Sequence, residues 1–98
     1  MNQLVEFGYE GRQVRIVTID GTPWFVAKDV CEALDMYWDG ARTISHVPEQ
    51  WRGSTLVPTP RGEQEMAVLS EAGLYFFLNR SDKPKALPFQ LKVNGEIL

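Results

Sequence analysis

Apolar and polar residues alternate through the stretch "GRQVRIVTIDGTPWFVA", which carries the clearest periodic signal in the chain. Such alternation, in a run rich in β-branched residues, is typical of a half-buried strand. Asp20-Gly21 interrupts the run, and this pair favours a tight type I′ turn. We therefore predict a β-hairpin whose second strand runs from Pro23 to Ala27. Within that strand, Trp24 and Phe25 must point to opposite faces of the sheet.

The period of the apolar residues changes immediately after this hairpin. In "AKDVCEAL", apolar residues follow Val30 at i+3 and i+4, which places them in one stripe along a helix. Asp29 falls in the first helical turn, where the helix dipole favours a negative charge. A strand thus runs directly into a helix. We interpret this join first as architecture, and we also note that Lys28, at the helix start, is placed to reach a phosphate.

The remaining elements are predicted from shorter signals. They are a first strand in "LVEFGY", a short helix after Gly40 whose Ala41, Ile44 and Val47 face inward, a second hairpin formed by "STLVPTP" and "EQEMAVLS", and a helix "EAGLYFFLNR" with Ser70 as its N-cap. Pro88 removes a backbone donor from the last segment, residues 86–98, which predicts a short, bent or frayed helix there. Together these elements favour an α+β fold. We expect a small single domain, residues 1–98, of antiparallel β-hairpins packed with three or four short helices.

The amino-acid composition indicates a globular protein and is consistent with the predicted α+β fold. With 44% hydrophobic, 11% aromatic and 23% charged residues, the chain is typical of a globular domain. Cys31 is the only cysteine, so no intramolecular disulfide can form, which suits a reducing cytoplasm. We recognise neither a signal peptide nor an apolar run near the ~20 residues that span a bilayer. We therefore expect a cytoplasmic protein with no membrane association.

The charge balance bears on the class of partner. The formal net charge is -3, with 13 acidic and 10 basic residues. This argues against a protein held to nucleic acid by bulk positive charge, because phosphate contacts need Lys and Arg. Ten basic residues can still cluster on one face, so the totals leave local DNA binding open.

Catalytic chemistry has little support in the sequence. His46 is the only histidine, and with one cysteine and one histidine neither a metal site nor a nucleophile–base pair is indicated. Glu63 and Glu65 flank a turn and are expected to be solvated. Cys31 lies one position off the apolar stripe of its helix and is interpreted as a small buried residue. We expect no enzyme activity, no metal and no cofactor.

The positions of the basic residues are more informative than their number. Arg42 and His46 are four apart, so on a helix they share one face. Arg52 and Arg61 lie near or in loops, and Arg80, Lys83 and Lys85 crowd the loop after the aromatic helix. If the fold brings some of these together with Lys28, a surface for phosphates exists. The alternative is that they are solvated surface charges.

Several blocks of the sequence resemble the BRO family N-terminal domain (Bro-N), found in phage antirepressors and in baculovirus repeated open reading frame proteins. "DGTPWFVAKDVCEALD" looks like the family's signature, and "ARTISHV" and "QEMAVLSEAGLYFFLNRSDKP" resemble its later segments. "FQLKV" with "EIL" is similar to its closing segment. The resemblance extends over roughly residues 12–98.

This resemblance implies a DNA-binding regulatory domain in transcriptional control of the lysis–lysogeny decision of a phage or prophage. The alternative it implies is a protein-interaction module that binds and inactivates a phage repressor without contacting DNA. A homo-oligomer is left open. The positions that match family motifs are Ala27, Lys28, Asp29, Arg42, His46, Glu71, Gly73, Leu74, Tyr75, Arg80 and Pro84. The residues predicted to bind DNA are Lys28, Arg42, His46, Arg80, Lys83 and Lys85.

Three departures from the family pattern are visible. "MYWDGARTI" lacks the common Asn-Pro helix start, and Asp39 is the expected substitute cap. Lys92 stands where the closing segment usually has Trp, and Pro88 falls inside that segment. Antirepressors also usually continue into a separate C-terminal domain.

Overall fold

The computed structural model describes residues 3–9 and 11–79. Five strands and two α-helices are present in this part of the chain, with two short 3₁₀ helices between them. In chain order they are β1 (Gln3–Tyr9), β2 (Arg12–Ile19), β3 (Thr22–Val26), α1 (Ala27–Ala33), 3₁₀ helices Gly40–Ile44 and Glu49–Trp51, β4 (Arg52–Thr59), β5 (Gly62–Leu69) and α2 (Glu71–Asn79). The predicted first strand, both hairpins and both α-helices are confirmed. The predicted count of three or four short helices is not confirmed. The predicted last segment, residues 86–98, lies outside the described residues.

All five strands belong to one antiparallel sheet in the order β1-β2-β3-β5-β4. The β2–β3 hairpin closes where Ile19 pairs with Thr22, leaving Asp20 and Gly21 as the two turn residues. Both have positive φ, 51° and 79°, as a type I′ turn requires. This turn fixes the register of β3, and hence the position from which α1 starts.

The main core lies between the sheet and the two helices. It joins Phe25 and Leu69, which pair directly across β3 and β5, to Val30 of α1, to Leu34 directly after α1, and to Leu74 of α2. The apolar stripe predicted for the first helix is therefore the side that is buried. The α+β arrangement follows from this packing, because each helix covers the sheet with its apolar side.

A second, smaller apolar cluster lies on the opposite side of the sheet. Val17 and Val26 come from the first hairpin, Val57 and Val68 from the second, and Trp24 packs against them. The two hairpins share only two paired positions between β3 and β5, and this cluster supplies further contact between them. Trp24 and Phe25 belong to different clusters, which agrees with the prediction that they point to opposite faces.

The 3₁₀ helix Gly40–Ile44 corrects three expectations about the middle of the chain. Ile44 and Val47 are buried as predicted, but Ala41 is exposed. Asp39 precedes the helix without making a side-chain cap hydrogen bond; instead its backbone N–H donates to Thr43 Oγ1 at 2.8 Å. His46 lies beyond the last helical residue, so Arg42 and His46 do not share a helix face.

The helix α2 begins as the sequence predicts. Ser70 Oγ accepts a hydrogen bond from the backbone N–H of Gly73 at 3.2 Å, which satisfies one of the donors left open at a helix start. The Ser70 N–H in turn donates to the carbonyl of Trp51 at 3.0 Å. These bonds tie the start of α2 to the end of the second 3₁₀ helix, next to the first residue of β4.

Candidate nucleic-acid interface

A cleft of about 670 Å³ lies between the start of α1, the 3₁₀ helix Gly40–Ile44 and the β4–β5 hairpin. Its charged and aromatic lining residues are Lys28, Trp38, Arg52 and Glu65. The cleft brings together elements that are far apart in the sequence. It is therefore the place where the basic residues predicted to bind DNA can be tested against the fold.

Lys28 lies on the rim of this cleft because β3 runs directly into α1. It is the exposed second residue of the helix, whereas Asp29 beside it is buried. None of the described carboxylates forms an ion pair with Lys28. Since α1 has only seven residues, a phosphate contact here depends on the lysine side chain and not on a helix N-terminus.

Arg52 is the second cation of the cleft; from the sequence it is one of the basic residues near a loop, but it is not among those predicted to bind DNA. The residue is half-buried and opens β4. Its Nε–H donates to the carbonyl oxygen of Val47 at 2.8 Å, which orients the guanidinium. Within residues 3–9 and 11–79 no carboxylate pairs with it. A held guanidinium whose Nη donors have no partner and no counter-charge among the described residues is well suited to an anion such as phosphate.

Arg42 and His46 occupy different surroundings. Arg42 lies on the 3₁₀ helix whose Gly40, Ala41 and Ile44 line the cleft, and its side chain is 85% exposed, with one nitrogen 3.6 Å from Asp39. So exposed an ion pair contributes little stability and is readily exchanged for a phosphate. The His46 ring packs instead against the rings of α2, with centroids 6.0 Å from Phe76 and 5.8 Å from Phe77.

The other basic residues in the described part of the chain do not line the cleft. Arg12 lies 3.8 Å from Asp35, and Arg15 is bound to Asp29. Arg61 is exposed in the β4–β5 turn. Arg80, Lys83 and Lys85, which the sequence analysis also predicted to bind DNA, lie outside the described residues. Of the predicted set, the fold places Lys28 on the cleft and Arg42 on an element that lines it.

The buried join between β3 and α1 is held by an ion pair. Both carboxylate oxygens of Asp29 accept from the Arg15 guanidinium, at 2.7 and 2.8 Å, and one also accepts from the Arg15 backbone N–H at 2.9 Å. The hydrogen bond to Asp29 raises the pKa of Arg15 above its ordinary value. Asp29 therefore does more than favour the helix dipole: it fixes α1 on β2 and so sets the position of Lys28.

Cys31 is a buried core residue, as the sequence predicts. Burial raises the pKa of its thiol to about 11, with a smaller contribution from the nearby Glu32. The reactive thiolate is therefore scarce at neutral pH, and the sulfur is shielded. No cluster of three metal-binding side chains occurs among the described residues.

Native protein at pH 8 is therefore expected to react with a chromogenic thiol reagent at a small fraction of the rate of denatured protein. The physical reason is that the thiol is both protonated and inaccessible in the fold. The reaction is followed by absorbance with and without guanidinium, and a Cys31→Ala variant gives the baseline. Equal rates in the two conditions would contradict the buried placement.

The chain belongs to the BRO family: the profile of the BRO family N-terminal domain matches residues 13–98. It is 31% identical, over 98 residues, to an uncharacterized protein of Haemophilus influenzae (strain ATCC 51907 / DSM 11121 / KW20 / Rd). That alignment covers 98% of this chain and 48% of the relative, so the chain spans about half the relative's length. No solved structure shows significant similarity to the chain. In the part of the chain that the structure describes, no helix is long and apolar enough to cross a membrane.

Proposed function

We propose that this chain is a DNA-binding regulatory domain of a phage or prophage antirepressor-like protein, a non-catalytic role in transcriptional control of the lysis–lysogeny decision. It would act in the cytoplasm, where the DNA lies. The observation that carries the proposal is the pair Lys28 and Arg52. Both line one cleft, and neither has a carboxylate partner among the described residues, in a chain where acids outnumber bases.

This arrangement reconciles DNA binding with an acidic protein. The affinity of a protein for DNA comes from the phosphates that its cations neutralise, and not from its net charge. Two other arginines, Arg12 and Arg15, already have carboxylate partners. Lys28 and Arg52 have none among the described residues, and Arg42, beside the cleft, has an exposed one that is easily exchanged. Negative charge elsewhere repels DNA from the rest of the surface. A single binding face results.

We expect affinity for DNA that falls steeply with salt. If Lys28, Arg42 and Arg52 each neutralise one phosphate, affinity falls on the order of 40-fold between 50 and 200 mM salt. Removing one of these cations weakens binding and reduces the salt slope by about 1. The measurement is fluorescence anisotropy of labelled DNA, duplex and single-stranded, with Lys28→Gln and Arg52→Gln.

Arg61→Gln is the matched control for this experiment. It removes the same kind of charge from the exposed β4–β5 turn, and we expect wild-type affinity and slope. Arg52→Lys keeps the charge but loses the Nε–H bond to Val47, and thermal unfolding of each variant shows whether the fold is intact. Absence of binding to either DNA at 50 mM salt would refute the proposal.

A second candidate function, capture of a repressor protein, is favoured by a different surface. A second cleft of about 530 Å³ is lined by Leu4, Glu6, Glu32 and the Pro58–Pro60 segment. Leu4 is exposed there beside the two exposed carboxylates. Such a mixture of apolar and acidic groups suits the basic face of a repressor better than it suits DNA. Binding of a cognate repressor that Glu6→Gln weakens and Arg52→Gln does not would support this function instead.

A further inference from the structure

Neither described α-helix is built to enter a DNA groove. In α1 only Lys28 and Glu32 are exposed, because the rest of the helix is buried in the core. The exposed residues of α2 are Glu71, Ala72 and Asn79, which offer no cation. A recognition helix needs an exposed polar or basic face that fits the major groove, about 12 Å wide. These two helices lack one.

The β4–β5 hairpin does not supply a cationic ribbon in place of a helix. Its exposed residues on one face include Leu56, Glu63 and Glu65, and Arg61 is the single basic residue at its turn. A duplex on this face would meet the carboxylates of Glu63 and Glu65. The unpaired cations instead border a concave surface, and a concave surface encloses a strand or a base better than it enters a groove.

The floor of the cleft is shaped by the register of β4 and β5. Arg52, Ser54 and Leu56 lie on one face of β4, and Ala67 and Glu65 lie opposite Ser54 and Leu56 on β5. The small, directly opposed pair Ser54 and Ala67 therefore separates Arg52 from Glu65. These four residues line the cleft, and Leu56 does not. About 13 Å of strand separates the cation from the carboxylate. The cleft thus has a positive end, a small-residue floor and a negative end.

We propose, building on the proposed function, that this cleft holds one unpaired nucleotide. Its phosphate lies toward Lys28 and Arg52, its base lies over the Ser54–Ala67 floor beside Trp38, and its amino group faces Glu65. The volume of about 670 Å³ is within the range of small-ligand sites. Trp38 is half-buried and packs on the core, so it forms a fixed aromatic wall.

Glu65 gives the site a direction and a base preference. A carboxylate repels phosphate and accepts hydrogen bonds from exocyclic amino groups, such as N4 of cytosine. Thymine has no such amino group, so cytosine is expected to bind more tightly. The nucleotide can come from a single strand, or from a free nucleoside monophosphate, since the two share the same phosphate, sugar and base.

The test compares a labelled 12-nucleotide single strand rich in cytosine, the same length of thymine, and the matched duplex, by anisotropy with the full chain at 50 mM salt. We expect the cytosine strand to bind at least 10-fold more tightly than the duplex, and more tightly than the thymine strand. Ser54→Leu fills the exposed floor of the cleft and is expected to cost at least 10-fold. Thr22→Leu, which makes a similar substitution at an exposed strand position that does not line the cleft, is the matched control and is expected to bind as wild type.

The outcomes separate this inference from the proposed function. Tighter binding to the duplex, with Ser54→Leu without effect, would overturn the nucleotide site and leave a DNA-binding domain. No binding to any of the three nucleic acids would overturn both. Competition by millimolar dCMP would support the site with a free nucleotide as a ligand, whereas strand binding that dCMP does not displace, but that Ser54→Leu abolishes, would support it with the single strand as the source.

Discussion

Replacing Asp29 by alanine is expected to lower the free energy of unfolding by about 3–5 kcal/mol. The residue is 4% exposed, and its carboxylate accepts three hydrogen bonds from Arg15. Its removal leaves a half-buried guanidinium without a counter-charge and a backbone N–H of β2 without an acceptor. Breaking a buried pair on one side costs more than the pair contributes, because the remaining group stays desolvated.

Urea unfolding followed by circular dichroism measures this loss, and Glu32→Ala is its matched control. Glu32 is an exposed carboxylate on the same helix, three residues further along, and its removal is expected to change stability by less than about 0.5 kcal/mol. The double variant Arg15→Met/Asp29→Leu removes both charges. Its loss in free energy of unfolding is expected to be smaller than the summed losses of the single variants Arg15→Met and Asp29→Leu. A loss below about 1 kcal/mol for Asp29→Ala would show that the pair behaves as an exposed ion pair.

The role of Asp29 marks where sequence reasoning about the fold stops. The hairpin before it is predictable because Asp20-Gly21 specifies its turn from neighbouring residues alone, and the helix after it is predictable from its apolar spacing. The partner of Asp29, by contrast, is Arg15, fourteen residues back. The two residues meet because Ile16 pairs with Phe25 and β3 ends one residue later, at Val26. The backbone N–H of Arg15 therefore donates to the Asp29 carboxylate. This pairing depends on register, which a periodic pattern does not report.

In the candidate site, too, features set by neighbouring residues are predictable and features set by tertiary contacts are not. The position of Lys28 at the start of α1 is confirmed, because the change of apolar period marks where the helix begins, whereas its contact with a phosphate stays a prediction. The relation drawn between Arg42 and His46 is wrong because it assumes 3.6 residues per turn, whereas the segment Gly40–Ile44 is a 3₁₀ helix with three. Arg52 carries no local signal. It becomes a candidate phosphate ligand only in the fold, where the Val47 carbonyl orients its guanidinium and distant elements form the cleft around it.

Replacing Gly73 by alanine is expected to lower the free energy of unfolding by about 1–3 kcal/mol, although alanine is the better helix former by about 1 kcal/mol. A Cβ at this position would run into the carbonyl oxygen of Trp51 and would lie 3.1 Å from the Trp51 Cβ. That carbonyl cannot turn away freely, because the Ser70 N–H and hydroxyl both donate to it, at 3.0 and 3.3 Å. The α2 helix must therefore move off the core. Gly73 is one of the positions that match the family motif, and close helix packing is a physical reason for glycine there.

The same displacement is expected to reach the cleft, since Trp51 directly precedes Arg52. Gly73→Ala should then weaken DNA binding several-fold at a temperature where the variant is still folded. Ala72→Gly, at the exposed neighbouring position, is the control: it loses only the intrinsic helix preference, about 0.5–1 kcal/mol, and leaves DNA affinity unchanged. Thermal and urea unfolding, with anisotropy below the transition, measure both effects. Helix propensity alone predicts that Gly73→Ala stabilises the protein, so a variant more stable than wild type would show that α2 is not seated against Trp51.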